Sequence, residues 1–224
     1  MAGKLLALLL TLLSLGQGAV EAYVDDMSLG GYLFLVNREY AVTADYVPND
    51  LVKPSVKMTN SNITLRADAA RALEEMFAAA KAEAGYELIA VSGYRSYGQQ
   101  ASIHERKVKA VGKKAALRVS APPGCSEHQL GLAMDLGCKG NTSLTEAFGR
   151  LPEGIWVAQN AHRFGFIIRY KAEWEDITGY MYEPWHVRYV GKEHAARIFE
   201  LDIPFEYYVA QLREAKFALL GGKE

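Results

Sequence analysis

The sequence predicts an α+β domain in which a small, mostly antiparallel sheet is flanked by helices. Short apolar runs such as 88–91 and 166–170 are typical of strands, whereas 66–84 is rich in strong helix formers and ends before Gly85, a fitting helix stop. These patterns mix along the chain without a regular strand–helix–strand rhythm, which favours antiparallel pairing. The chain has 224 residues, of which 50% are hydrophobic, and this is enough for one domain with a real core.

The individual elements are predicted from local patterns, in chain order. The segment before the first helix is expected to be irregular or extended, with a candidate strand at Tyr32–Val36. In the helix at 66–84, apolar residues recur at helical spacing and mark a core-facing stripe, which consists of Leu73, Met76, Phe77 and Ala80. Ser96 and Gln99 fit a capping box at the start of a helix at 97–110. Further helices are predicted near 144–151, 154–163, 192–200 and 204–219, and further strands near 132–136 and 186–190.

The first residues have the pattern of a signal peptide. Met1 to Lys4 carry a positive start, Leu5 to Leu15 form a leucine-rich run, and Val20-Glu21-Ala22 fits a small-x-small cleavage site. The run is shorter than the roughly 20 apolar residues that a bilayer span requires. We therefore predict a signal peptide at 1–22, one domain at 23–224 and a mature protein that works outside the cytoplasm. An uncleaved anchor or a buried N-terminal helix is the alternative.

The net charge argues against one class of partner and the expected assembly is simple. The formal net charge is −1 and no basic run interrupts the sequence, which argues against nucleic acid as the main partner. Once the signal is removed, we expect no stable membrane span, and we expect a monomer.

Two segments carry the residue types of a catalytic zinc site. The first is 126–135 (SEHQLGLAMD) and the second is 182–186 (YEPWH). Together they offer two histidines, an aspartate and a spare glutamate. A catalytic zinc ion takes three protein ligands and leaves one position open for water, beside a carboxylate that does not bind the metal. His104, His162 and His194 have no such surroundings and are interpreted as structural or surface residues.

The spacing within these segments makes demands on the backbone. On a regular strand, Glu183 and His186 would point to opposite faces, and Pro184 between them excludes a helix interior. A bend at Pro184 is therefore required if both side chains are to meet one ion. His128 and Asp135 are seven residues apart and would also point to opposite faces of a regular strand. Gly131 between them can adopt the turn that brings them together.

The two cysteines flank the upstream segment. Cys125 lies three residues before His128, and Cys138 lies three residues after Asp135. In an exported protein an even pair predicts a disulfide, which would contribute about 3 kcal/mol. Two alternatives remain: the cysteines are zinc ligands, which would close a structural rather than a catalytic site, or they are free buried thiols.

Three segments, at 92–96 (SGYRS), 126–135 and 183–186 (EPWH), resemble the zinc D-alanyl-D-alanine carboxypeptidases of the VanY type. That family belongs to a wider group with the lysostaphin-type endopeptidases and the hedgehog signalling domain, and the resemblance implies a fold of this kind. It extends over about residues 33 to 200. Further similar stretches are 35–37, 45–48, 164–170 and 177–180.

Carried over by position, the resemblance implies a role for each motif residue. His128, Asp135 and His186 would bind Zn²⁺, and Glu183 would be the general base. Arg95 would stabilise the oxyanion or hold a substrate carboxylate by paired hydrogen bonds. A surface salt bridge is the alternative for Arg95.

Three more residues are candidates for substrate binding. Gln99 either contacts substrate or only completes its capping box. Ser126 either hydrogen-bonds the peptide or only caps its loop, and Trp185 is expected to form a wall of the pocket.

The resemblance implies an exported zinc carboxypeptidase, located in the periplasm or the cell wall. Its expected substrates are peptidoglycan stem peptides, from which it would remove the C-terminal D-alanine. L,D-cleavage of tetrapeptide stems, endopeptidase activity and non-catalytic binding of a peptide or partner remain as alternatives, because the same residue set serves the first two and the same fold serves the third.

Overall fold

The centre of the fold is an antiparallel sheet of four strands that carries two of the candidate metal ligands. The structure is a computed structural model and describes residues 27–220, so the predicted signal peptide at 1–22 lies outside the described residues. The strands are β1 (Leu51–Val52), β2 (Leu65–Arg66), β3 (Leu88–Ser92), β4 (Ala133–Cys138), β5 (Phe166–Tyr170) and β6 (Glu183–Tyr189). The α-helices are α1 (Ala67–Ala84), α2 (Tyr97–Val111), α3 (Lys113–Val119), α4 (Pro152–Asn160), α5 (Glu175–Thr178), α6 (Lys192–Leu201) and α7 (Phe205–Leu220).

The strand order of the main sheet is β3-β4-β6-β5, and β1 and β2 form a separate two-stranded sheet. All pairs in the main sheet are antiparallel, as predicted. The central strands are β4 and β6, and their register places Asp135 opposite His186. Because a central strand has hydrogen-bonded neighbours on both sides, both side chains project from a fixed backbone.

Apolar side chains pack on both faces of the sheet. Phe166 and Ile168 of β5 belong to a core cluster that includes the buried face of α1. Ile167, between them, belongs to a second cluster with residues of α6 and α7. The alternation of side chains along β5 thus divides the core into two layers of helices with the sheet between them.

Most of the predicted elements are confirmed. The helix predicted at 66–84 is α1, which ends at Gly85 in a left-handed conformation with φ 73°. The helix predicted at 97–110 is α2, and Ser96 and Gln99 form its capping box. The last two predicted helices correspond to α6 and α7, and the predicted strands of the main sheet correspond to β3, β4, β5 and β6.

Two local predictions differ from the structure. Tyr32–Val36 forms no strand, because the carbonyls of Tyr32 and Phe34 accept hydrogen bonds from the buried Arg188 instead of from a neighbouring strand. The helix expected near 144–151 is a 3₁₀ helix, Glu146–Arg150. The short helices α3 and α5 and the two-residue strands β1 and β2 were not predicted.

Among residues 27–220, no helix is long and apolar enough to cross a membrane.

Candidate metal centre and active site

Three buried side chains converge beside the central strands β4 and β6. His128 lies in a 3₁₀ helix, Glu127–Leu130, whereas Asp135 lies on β4 and His186 on β6. One potential ligand atom from each lies within 4.8 Å of those of the other two. Among the described residues, this is the group of histidine, cysteine and acidic side chains that could hold a metal ion.

Backbone irregularities at Gly131 and Pro184, the two predicted positions, let the side chains on either side of each point toward the same place. Gly131, with φ 66°, ends the 3₁₀ helix that carries the histidine and turns the chain into β4. In the other segment, β5 advances two residues from Ile168 to Tyr170, while its partner advances four, from Val187 to Glu183. Pro184 lies inside this bulge, which confirms that the chain bends there.

Hydrogen bonds determine which nitrogen of each imidazole is available to a metal. Nδ1–H of His128 donates to the carbonyl of Gly93 over 2.7 Å, and its Nε2 lies 3.3 Å from a carboxylate oxygen of Asp135. His186 has the opposite orientation, because its Nε2 lies 3.1 Å from Glu127 and its Nδ1 lies 3.1 Å from Asp135. Bonds of this kind to the outer nitrogen fix the tautomer of a metal-binding histidine.

Burial and neighbouring charges shift the pKa values of the two histidines in opposite directions. Burial lowers the pKa of His128, and the nearby Arg95 guanidinium adds to this, so the ring is held neutral as a metal ligand requires. Burial also opposes a charge on His186, but hydrogen bonds with Asp135 and Glu127 outweigh it and raise the pKa to about 9. In the metal-free protein, His186 is therefore a cation between two carboxylates, and a bound metal ion would replace that proton.

Glu183 lies beside the three candidate ligands. Its Oε2 atom is 4.0 Å from Nδ1 of His186. Burial raises the pKa of Glu183 to about 7, and the negative charge of Asp135 adds to this effect, although His186 and Arg95 oppose it. A carboxyl group that titrates near neutrality is suited to accept a proton and to return it.

The site opens into a cavity of about 600 Å³, which is within the usual range for a ligand pocket. Of the predicted residues, Arg95, Ser126 and Trp185 line this cavity together with the candidate ligands and Glu183. Nε of Arg95 is buried and has no hydrogen-bond partner, so this part of the guanidinium group is available to a ligand. Burial lowers the pKa of Arg95, while Asp135 and Glu183 raise it.

The structure places Gln99 outside the cavity, where it is exposed and completes the capping box of α2. Its substrate-binding role is therefore not supported, and the capping alternative is. The next residue, Gln100, points to the opposite side and lines the cavity. Its Nε2 donates to the carbonyl of Ala121, whereas its buried Oε1 has no partner, and neither does Oγ of Ser120, which also lines the cavity.

The predicted disulfide is wrong, because both cysteines are free thiols. Cys125 is half-buried, and burial raises the pKa of its thiol, although the Arg38 charge opposes this shift. Cys138 is buried at the far end of β4, where it pairs with Leu88. The extended strand between Asp135 and Cys138 carries the second thiol away from the metal site, so the pair does not close a loop around it.

Sequence reasoning missed Glu127 and Gly93 as well as Gln100. Glu127 lies next to a candidate ligand, but an acidic residue beside a histidine gave no sign of its complete burial. Gly93 acts through its carbonyl, which no side-chain motif reports. A Cβ at Gly93 would lie 2.4 Å from the carbonyl oxygen of Thr64, so close packing explains the glycine.

The donor set fits zinc. It consists of two imidazoles and one carboxylate that come together at distances a single ion could span, with their outer atoms hydrogen-bonded and a fourth carboxyl group adjacent. Zinc peptidases use such a set to activate water, and the fold and this site place the chain in that class of protein.

The chain belongs to the VanY D-alanyl-D-alanine carboxypeptidase family, whose model matches residues 62–192. It is 48% identical over 187 residues to YodJ of Bacillus subtilis (strain 168), which is named as a carboxypeptidase, and the match covers 81% of this chain and 68% of that protein. It is 36% identical over 204 residues to a D-alanyl-D-alanine carboxypeptidase of Enterococcus faecium, with 88% and 63% covered. The chain thus spans about two thirds of the length of these relatives.

Solved structures show the same similarity. The LdcB LD-carboxypeptidase is 49% identical, with a TM-score of 0.74 and coverage of 79% of this chain and 85% of that one. A mutant of the vancomycin resistance D,D-pentapeptidase VanY, solved in complex with Zn(II), is 37% identical, with a TM-score of 0.67 and coverage of 80% and 98%. The zinc in this relative agrees with the donor set described above.

Proposed function

We propose that this protein is an exported zinc carboxypeptidase that removes the C-terminal D-alanine from peptidoglycan stem peptides. The observation that carries the proposal is the convergence of His128, Asp135 and His186 in one cavity with the carboxyl group of Glu183. Membership of the D-alanyl-D-alanine carboxypeptidase family supports the substrate class.

In this proposal, the zinc ion would be held by Nε2 of His128, Nδ1 of His186 and the carboxylate of Asp135. Bound zinc supplies a Lewis acid that lowers the pKa of water toward neutrality. Glu183 takes a proton from the attacking water and passes it to the amine of the departing D-alanine. In the metal-free protein its pKa is about 7, chiefly because the carboxyl group is buried.

The remaining polar groups of the cavity would orient the peptide. The unpartnered Nε and the positive charge of Arg95 would hold the C-terminal carboxylate or the developing oxyanion. Gln100 and Ser120 offer two further unpartnered atoms, of which the amide oxygen can only accept a hydrogen bond. Ser126 would contribute a hydroxyl group, and Trp185 an apolar wall.

Export and cleavage of residues 1–22, action in the periplasm or cell wall and a monomeric state complete the proposal. The N-terminal sequence pattern supports the first, and the location of peptidoglycan supports the second. Mass spectrometry of the mature protein tests the cleavage, because an N-terminus at Tyr23 is expected and an intact Met1 would contradict it.

L,D-carboxypeptidase activity on tetrapeptide stems is the second candidate. The observation that favours it is the 49% identity with the LdcB LD-carboxypeptidase, compared with 37% for the D,D-pentapeptidase structure. The catalytic set is compatible with both activities, since they differ in the chirality of the residue before the cleaved bond.

Defined stem peptides distinguish the two. The full chain loaded with zinc is incubated separately with a pentapeptide that ends in D-Ala-D-Ala and a tetrapeptide that ends in a single D-Ala, and the products are weighed by mass spectrometry. We expect the pentapeptide to lose one alanine. Loss from the tetrapeptide alone would establish the L,D activity instead, and loss from neither would contradict both.

A further inference from the structure

A cluster of four buried charges connects the C-terminal helix to the metal site. It consists of Glu127, Arg169, Arg188 and Glu206, and we call it the buried charge cluster. Both arginines and Glu127 are at most 1% exposed, and the side chain of Glu206 is 15% exposed. With two positive and two negative groups, the cluster is neutral, as burial on this scale requires.

Glu127 joins this cluster to His186. One oxygen of Glu127 accepts hydrogen bonds from Nε of Arg169 over 2.8 Å and from Nη1 of Arg188 over 2.9 Å. Its other oxygen lies 3.1 Å from Nε2 of His186. The two guanidinium groups thus determine the position of the carboxylate that orients the imidazole.

The two arginines are themselves held in different ways. Arg188 is anchored to the backbone, because it donates to the carbonyls of Tyr32, Phe34 and Tyr189. Arg169 donates to carboxylates at both ends: Nε to Glu127, and Nη1 and Nη2 to Glu206 over 3.0 and 2.5 Å. The position of Arg169 therefore depends on Glu206, at the start of α7.

We propose that Glu206 is a positioning residue for the metal centre, which acts through Arg169 and Glu127 to fix the His186 ring with Nδ1 toward the metal. The inference rests on the proposed zinc site. Glu206 lies outside residues 62–192, which carry the family match, so the family motifs do not assign it this role.

Removing the charge of Glu206 has two consequences for the site. The cluster then holds two guanidinium groups against one carboxylate, and this excess of positive charge lies beside the place where a divalent cation binds. Arg169 also loses the carboxylate that holds Nη1 and Nη2, so its guanidinium group is free to rotate and its Nε is no longer fixed on Glu127. Both consequences weaken zinc binding.

The test compares Glu206→Gln with Glu214→Gln, an exposed position on the same helix that makes the same change in net charge. Zinc affinity of each full-length variant is measured by competition with a chromophoric chelator. We expect Glu206→Gln to bind zinc roughly three- to tenfold more weakly than the parent, since loss of a direct second-layer partner costs about 10- to 100-fold and this one acts through an intermediate. Glu214→Gln should match the parent.

A second readout uses the metal-free protein. The His186 Nε2–H proton, identified by its loss in His186→Asn, should shift in the NMR spectrum of Glu206→Gln and not in that of Glu214→Gln. Should Glu206→Gln fail to fold, Arg169→Lys replaces it, because a lysine keeps the charge but cannot bridge two carboxylates in the same way.

Each failure has its own signature. A parent protein that binds no zinc would contradict the proposed function, while the proton resonance would still test the role of Glu206. Equal zinc affinities and unchanged resonances in the Glu206 and Glu214 variants, or in Arg169→Lys and the parent, would overturn the inference and leave the proposed function intact.

Discussion

Under the proposed mechanism, Glu183 is the residue that separates a hydrolase from a binding protein of the same fold. The three candidate ligands could hold zinc in either case, whereas only the hydrolase needs a carboxyl group beside them that accepts and returns a proton. The pKa of about 7 results chiefly from burial, and the negative charge of Asp135 reinforces it. A binding module has no use for a group held in this state.

Glu183→Gln should therefore retain zinc and lose turnover. The amide keeps the size of the side chain but cannot accept the proton, so we expect kcat to fall by about 10²- to 10⁴-fold. Stem-peptide hydrolysis and zinc content are measured on the same preparation. Glu146→Gln, another carboxyl group that lines the cavity, is the control and should keep most of the parental rate. Undiminished hydrolysis by the Glu183 variant would exclude it as the base.

At the residue scale, the sequence predicted the three candidate ligands but not the side chains that orient them. His128, Asp135 and His186 were predicted because they stand in two recognisable patterns, and the structure brings them together. Glu127 was missed because its role depends on the burial of two arginines about forty and sixty residues away, at separations of 42 and 61. Such partnerships arise from the fold, and no local pattern encodes them.

At the scale of elements, the close contact between the residue before β2 and the residues after β3 supports His128. Gly93, just after β3, offers its carbonyl to Nδ1 of His128 and packs against the carbonyl oxygen of Thr64. The second contact requires the backbone at residues 64 and 93 to lie unusually close. A side chain at Gly93 would push them apart, and the imidazole would lose its partner.

Gly93→Ala is thus expected to lower both stability and zinc affinity. The added Cβ would lie 2.4 Å from the Thr64 oxygen, so the backbone must shift, at a cost of about 1–3 kcal/mol in the free energy of unfolding. Gly98→Ala is the matched control, since it lies in α2 with nothing within 4 Å of the new Cβ and should be neutral or stabilising by up to about 1 kcal/mol. Denaturant unfolding and zinc competition measure the two effects. Equal stability and equal zinc affinity of the two variants would show that the close contact at Gly93 does not support the site.

The contact between α6 and α7 should make the stability of the protein depend on pH. His194 of α6 is buried, and its Nδ1 lies 2.8 Å from the hydroxyl group of Tyr208 of α7. Burial lowers its pKa from 6.5 to about 4, although Glu193 opposes the shift. Between these two pH values the unfolded chain binds the proton more readily than the folded protein does.

Stability should therefore be complete above pH 6.5 and fall as the pH decreases toward 4, with no further loss from this group at lower pH. The loss in the free energy of unfolding over this range is on the order of 3 kcal/mol. Urea unfolding between pH 4 and 7 measures it. His194→Asn does not titrate, so its loss of stability over this range should be smaller than that of the parent, and identical slopes would exclude His194 as the source.

The elements that the sequence did not predict also show why local patterns are insufficient. Tyr32–Val36 is a continuous apolar run of the length of a strand, and Leu33 and Leu35 are indeed buried. Its carbonyls, however, are taken by Arg188, which is 156 residues from Tyr32 and 154 from Phe34. The apolar pattern correctly indicated burial, and the tertiary partner decided the backbone conformation.

At the scale of the whole molecule, the metal site joins parts of the chain that are far apart in sequence. The ligands come from a 3₁₀ helix and from two strands that pair at the centre of the sheet, and the buried charge cluster adds the C-terminal helix. The three candidate ligands come together only in the folded chain, because they lie on separate elements. A bound cation should therefore stabilise the entire fold and not only the local loop.

Zinc should raise the free energy of unfolding of the metal-free protein by about 2.7 kcal/mol when its free concentration is 100 times the dissociation constant, because the ion binds the folded state preferentially. Unfolding curves with a chelator and with buffered zinc measure the difference. His186→Asn removes one ligand and should abolish most of the increase, whereas His104→Asn, a change of the same kind on α2, should preserve it. The increase should grow with the logarithm of free zinc in the parent. A concentration-independent stability, or an equal response from the His186 variant, would show that the ion does not bind at this centre.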